Sequence, residues 1–216
     1  MITFTLVAVL AALLIFVLVQ LAKKPAAEGP KGASPATPAM DLANLKPNDA
    51  RVGDVLSIAG AGDQMSDLDY TADRCTWVEA GSRRWFELSG PYRERRVAMR
   101  VASGDEMEVG VQIDPRKLTL EDIGLSEGDL AEMDERQNTA DNFEFDGRTW
   151  MYLLSREAQA RRNDEPQPLG FYYWEFREQN GPGLLGIRKL AGEPFAISLF
   201  QGINPGDVTI YRGSRA

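Results

Sequence analysis

The sequence predicts a mainly β protein: an N-terminal single transmembrane helix, then a soluble β domain built from two related antiparallel meanders, arranged as a sandwich or a partly closed barrel. Three observations predict it. One uninterrupted apolar run opens the chain, and period-two alternation of apolar side chains dominates the rest. In addition, "WFEL" at Trp85–Leu88 returns 88 residues later as "YWEF" at Tyr173–Phe176.

From Ile2 to Ala22 the chain carries no charge, and only Thr3, Thr5 and Gln20 interrupt its apolar character. As a helix this segment is roughly 31 Å long, the thickness of a bilayer's hydrocarbon core. A helix apolar on every face needs lipid or a very large core. A cleaved signal peptide is the rival reading, but it carries a basic start and a shorter apolar stretch. Here no Lys or Arg precedes the run, and Lys23 and Lys24 follow it directly. These contrasts favour a retained anchor at residues 1–22. Flanking lysines tend to stay cytoplasmic. The expectation is therefore a single-pass membrane protein, its partner the lipid bilayer, with the body on the cytoplasmic side. Cys75 is the only cysteine, so no intramolecular disulfide exists.

Residues 23–50 are rich in Ala and Pro and read as a linker, leaving residues 51–216 as a β-rich domain. The first 50 residues hold four lysines and three acids, so the remainder carries 20 basic and 29 acidic residues, a net charge of −9. Such a body is repelled by nucleic acid and by anionic headgroups. No nucleic-acid partner is expected; a protein partner is.

Within the domain the echo has a geometric meaning. A hairpin centred between Arg93 and Glu94 puts Glu87 opposite Arg100, Phe86 opposite Val101 and Leu88 opposite Met99. A second, centred between Gly181 and Pro182, puts Glu175 opposite Arg188 and Phe176 opposite Ile187. Alternation then places Phe86, Leu88, Met99 and Val101 on one face and the Glu–Arg pairs on the other. Lys189 is the misfit on the apolar face and is expected at a sheet edge. Gly104 and Gly192 occupy turns that want positive φ. Two further alternations follow them, at Met107–Ile113 and Phe195–Gln201. Glu, Arg and Gly coincide at one ungapped offset, so an internal repeat is expected over roughly 51–114 and 138–211. "SREAQARRNDEPQP" reads as a charged insertion in the second half. Between the halves, Leu118–Gln137 suggests short helical turns with Ser126 as N-cap. Val52–Ile58 and Gly206–Tyr211 read as strands opened by a turn.

The chemistry starts from an absence: the chain contains no His. That removes the commonest general base and the commonest metal ligand. No phosphate-cradling loop or dinucleotide fingerprint is present. The residues therefore assign no catalytic, cofactor-binding or metal site, and no cofactor. Glu87 and Glu175 are the candidate carboxylates, and cross-strand pairing with Arg100 and Arg188 is the favoured reading, as exposed pairs contributing about 0–1 kcal/mol. Cys75 reads as a packed thiol. Arg93–Arg96 and Arg161–Arg162 read as solvated clusters. The aromatics Phe171, Tyr172, Tyr173, Trp174 and Phe176 read as core rather than as a ligand pocket.

"VGDV" at Val52–Val55, "YYWEF" at Tyr172–Phe176, "LLGIRKLAGEPFAISL" at Leu184–Leu199 and "GDVTIY" at Gly206–Tyr211 together resemble a bacterial domain-of-unknown-function family. Its members are small β-rich domains often encoded beside spermidine-synthase-like and phage-shock-like proteins. The resemblance covers roughly Arg51–Tyr211. It implies a role in an envelope or membrane-stress system and carries no activity or site residue with it. The leading expectation is a membrane-anchored, non-catalytic binding or adaptor module. The alternative is a carboxylate-dependent enzyme or a small-ligand-binding β domain.

Overall fold

Alternating strands need a partner for each face, and the computed structural model meets that need with a closed barrel and separate covers outside it. The structure describes residues 44–213, apart from 113, 115 and 166. The apolar run Ile2–Ala22 and most of the Ala/Pro-rich linker lie outside the described residues. Among those described, no helix is long and apolar enough to cross a membrane.

Among the described residues, twelve strands and one α-helix follow in chain order. The first half holds β1 (Val55–Ile58), β2 (Leu68–Thr71), β3 (Arg74–Ala80), β4 (Arg83–Tyr92), β5 (Arg95–Ser103) and β6 (Met107–Gln112). Helix α1 (Glu127–Arg136) comes next. The second half holds β7 (Asn142–Phe145), β8 (Arg148–Arg162), β9 (Leu169–Glu178), β10 (Gly183–Lys189), β11 (Ala196–Ile203) and β12 (Val208–Tyr211). The order β3-β4-β5-β6-β11-β10-β9-β8 closes on itself, because β3 also pairs with β8 from Thr76↔Arg162 to Glu79↔Gln159. All these pairings are antiparallel. The eight-stranded antiparallel barrel thus abolishes its edges. Strand β7 hangs on the start of β8, and β12-β1-β2 form a separate three-stranded sheet.

The first hairpin has the expected register, with Glu87↔Arg100, Phe86↔Val101 and Leu88↔Met99. The second is displaced by two residues: Phe176 faces Leu185 and Glu175 faces Gly186. A shift of two keeps every side chain on its expected face. The displacement follows from Pro182, whose carbonyl accepts the Gly202 amide at 3.0 Å and so belongs to the contact with β11. Of the two turn glycines, Gly192 takes positive φ (78°), whereas Gly104 is not among the residues that do.

Both apolar faces point outward, under covers. Leu88, Met99, Val101, Val109 and Val111 pack beneath the small sheet, against Leu56, Ile58, Leu68, Tyr70, Val208 and Ile210. Leu45 and Ala50 join this cluster and Pro47 is buried, so the packed fold reaches back before Arg51. On the other side Trp174, Phe176, Leu185 and Ile187 pack beneath Leu130 and Met133 of α1, the Leu120–Leu125 turn, and Phe143 and Phe145. Helix α1 begins where Ser126 predicts. The Asp129 amide donates to Ser126 Oγ, and Asp129 Oδ2 accepts from the Ser126 amide. It is a ten-residue helix, longer than the expected turns.

The charged insertion is largely strand. Arg156, Ala158, Ala160 and Arg162 alternate with Glu157, Gln159 and Arg161 along β8, whose second half closes the barrel on β3. Its alanines hide the alternation, because they are small. A β-bulge between Tyr152 and Leu154 reverses the faces of β8 midway. Trp150 and Tyr152 therefore join the outer core, while Leu154 and Ala158 point into the barrel. Lys189 lies at the end of β10, inside the barrel wall rather than at a sheet edge; its ammonium sits 4.4 Å from the Phe195 ring and donates to the Glu193 carbonyl.

Candidate ligand site in the barrel lumen

With the apolar side chains outside, the opposite face of every strand meets in the lumen, and there the charges converge. Strand β4 delivers Arg83, Trp85 and Glu87 at alternate positions, β5 delivers Arg100, and β6 delivers Glu108. Strand β9 supplies Tyr173, Glu175 and Arg177, again at alternate positions, and β10 supplies Arg188.

The ion pairs cross between the halves. Arg100 donates to Glu175 at 2.8 Å, and Arg188 donates to Glu87. Each Glu and Arg of one meander thus binds its counterpart in the other, instead of the neighbour on its own hairpin. The expectation of exposed pairs within each hairpin is overturned: Glu175 is 0% and Arg100 3% exposed. Closure is the reason, since it turns the polar face of both hairpins inward. Arg83 adds a second contact to Glu175 at 3.1 Å, and Tyr173 donates its hydroxyl to the same carboxylate at 2.9 Å. The Trp85 indole donates to Glu87 at 2.8 Å, and the Arg100 guanidinium lies 4.2 Å from the Trp85 ring. Trp85 and Tyr173 pack with their centroids 5.1 Å apart. Gly186 makes this possible, because a Cβ there would lie 2.9 Å from the Tyr173 hydroxyl.

Burial works against the charge on Arg100, but Tyr173 and Glu175 outweigh it and hold the guanidinium above its ordinary pKa. Burial also pushes the Tyr173 hydroxyl well above its ordinary value, so it serves as a donor. For Glu108, burial raises the pKa; hydrogen bonds and charge from Arg177 and Arg83 overcome it, leaving the carboxyl below the usual range.

Space remains at both mouths of the barrel. One cavity of about 380 Å³ is lined by Arg100, Glu108, Arg177, Leu184, Phe200 and Gly202, among others. Another of about 340 Å³ is lined by Glu87, Arg188, Ser198, Gln112 and Arg162 among others. An eight-stranded barrel is just wide enough to be filled by side chains or to hold one small ligand. Here side chains fill the middle and leave the ends open.

The other sequence candidates are structural. Cys75 is buried on the outer face, where burial and nearby Glu87 push its thiol up to about 12. Arg93 and Arg95 clamp Asp63, and Arg96 clamps Asp73. Arg162 pairs with Asp164 and Glu165. The aromatic run divides by parity. Phe171 and Tyr173 enter the lumen, while Trp174 and Phe176 are outer core with Tyr172 packed beside them. Sequence reasoning missed Arg83, Glu108 and Arg177. Their signal was an even spacing along the strand, four from Glu87 for Arg83 and two from Gly110 and Glu175 for Glu108 and Arg177, which puts each on the lumen face. Among the described residues no group of His, Cys, Asp and Glu could hold a metal ion.

No family model, curated protein or solved structure matches the chain.

Proposed function

We propose that the protein is a non-catalytic binding module, held at a membrane by its N-terminal apolar segment and working in an envelope or membrane-stress system. The observation that carries the first part is the pairing of its lumen carboxylates. Glu87, Glu108 and Glu175 each meet at least one guanidinium. A general base must be free to take a proton, and a carboxylate held by arginines is a poor one. A fixed set of donors beside an open cavity is suited to recognition. The anchor rests on the apolar run Ile2–Ala22 and the two lysines after it, and the envelope role on the family resemblance. The same reading treats the two meanders as copies of one ancestral unit, supported by their reciprocal Glu–Arg pairs.

The test uses the full-length protein in detergent, incubated with a small-molecule extract of its own cells and examined by native mass spectrometry. The expected result is a bound compound that is recovered unaltered. Steady accumulation of a compound of new mass, beyond one equivalent per protein, would overturn the reading in favour of a carboxylate-dependent enzyme. For the anchor, the full-length chain should resist extraction from membranes by alkaline carbonate; release into the wash would refute it.

A further inference from the structure

The larger mouth cavity has a charge imbalance that points to its occupant. Arg100, Arg177 and Glu108 line it, and Arg83 and Glu175 complete the same ion-pair network, three arginines on two carboxylates. The end of the lumen therefore holds one positive charge in excess, inside a protein whose overall charge is −8. Arg177 donates through one terminal nitrogen to both oxygens of Glu108 at 2.7 Å, yet its buried Nε has no hydrogen-bond partner. A buried donor left unpaired costs free energy that an incoming acceptor would recover. The remaining wall includes the apolar side chains of Leu184, Phe200 and Pro182, with Asn204 beside them. Gly202 lies within 2.6 Å (from a hypothetical Cβ) of the Pro182 carbonyl, so side chains are excluded at that point of the rim.

We propose that this mouth binds a small organic monoanion: a carboxylate carrying a short apolar chain. The carboxylate neutralises the excess charge beside Arg177, and the chain lies along Leu184 and Phe200. A charge-assisted contact in a partly desolvated site discriminates strongly against a neutral isostere, whereas an apolar wall discriminates weakly by length. The inference rests on the binding-module reading and narrows it to one ligand class.

Titration calorimetry of the full-length protein with hexanoate, and with neutral hexanamide, tests it. Hexanoate should bind at least about tenfold more tightly than hexanamide. Two substitutions should act in opposite directions. Arg177→Gln should weaken hexanoate binding at least about tenfold, and Glu108→Gln should tighten it several-fold by releasing Arg177. Circular dichroism melts of both variants establish that the barrel is intact. Equal affinity for hexanoate and hexanamide, or weakening by both substitutions, overturns the anion assignment while leaving a binding module in place. No heat with hexanoate at millimolar concentration overturns the ligand class. Conversion of hexanoate to another compound would instead refute the non-catalytic reading on which the inference stands.

Discussion

The barrel's two faces obey opposite rules. Outside, under the small sheet on one side and α1 on the other, the contacts are apolar and each cluster has its own cover. Inside, the middle of the lumen is an ionic and aromatic network shared between the halves. The same alternation generates both, since one residue in two points each way. What differs is the consequence of removing a side chain. Outside, a truncation leaves a cavity. Inside, it leaves a buried charge without its counterion, and desolvation makes that as costly as the cavity.

The largest effects should come from the lumen and the best-buried outer positions together. Glu175→Gln leaves Arg100 buried without its carboxylate, and should lower stability by about 3–5 kcal/mol in urea denaturation. A loss below about 1 kcal/mol would show that the pair is solvated and the lumen wet, which would erase the contrast between faces. Replacing Arg100 and Glu175 together, with Met and Leu, should recover much of that loss, because neither charge then remains unpaired.

Two tryptophans at the ends of matching motifs, "DRCTW" and "DGRTW", sharpen the comparison of covered with uncovered wall. Trp150 is 1% exposed beneath the second cover, whereas Trp77 is 45% exposed on β3, beside the barrel seam. Trp150→Ala should cost about 3–5 kcal/mol. Trp77→Ala should cost far less, and comparable losses would mean that the outer wall at β3 is also covered in solution.

A smaller effect depends on pH. Glu108 at the cavity mouth has its folded pKa held below the ordinary value of about 4.3. A depressed carboxyl contributes stability above its unfolded pKa and loses it as pH falls through the folded pKa. The wild-type urea midpoint should therefore fall more on acidification below about pH 4.3 than that of Glu108→Gln. Glu108 is about half exposed, so screening keeps the difference under about 1 kcal/mol. Identical acid profiles would show that Arg177 and Glu108 do not hold each other.

The smallest effect belongs to the exterior. Arg84 and Glu79 pair at 2.9 Å with both side chains more than half exposed. Glu79→Gln should change stability by no more than about 0.5 kcal/mol. A larger loss would place this pair in the same class as the buried network, against its exposure.

Much of the architecture was legible from residue order. The first hairpin's register, the outward set Leu88–Met99–Val101, the cap at Ser126 and the separate strands at Val55 and Val208 all follow from local rules: turn composition, parity and capping. Parity also grouped Glu87 with Arg100 and Glu175 with Arg188 on one face. That is as far as local rules reach, because alternation says which side chains share a face and not what lies beyond it. Whether that face meets water was decided by β8, whose bulge at Leu153 and alanine-rich second half let it bend across to β3 and close the wall. Closure brought Arg100 to Glu175 and Arg188 to Glu87 across 75 and 101 residues of chain. It also placed the missed arginines, Arg83 and Arg177, beside Glu108. Pairings at such separation depend on the curvature of the whole sheet, a property of eight strands at once that no single stretch of sequence contains.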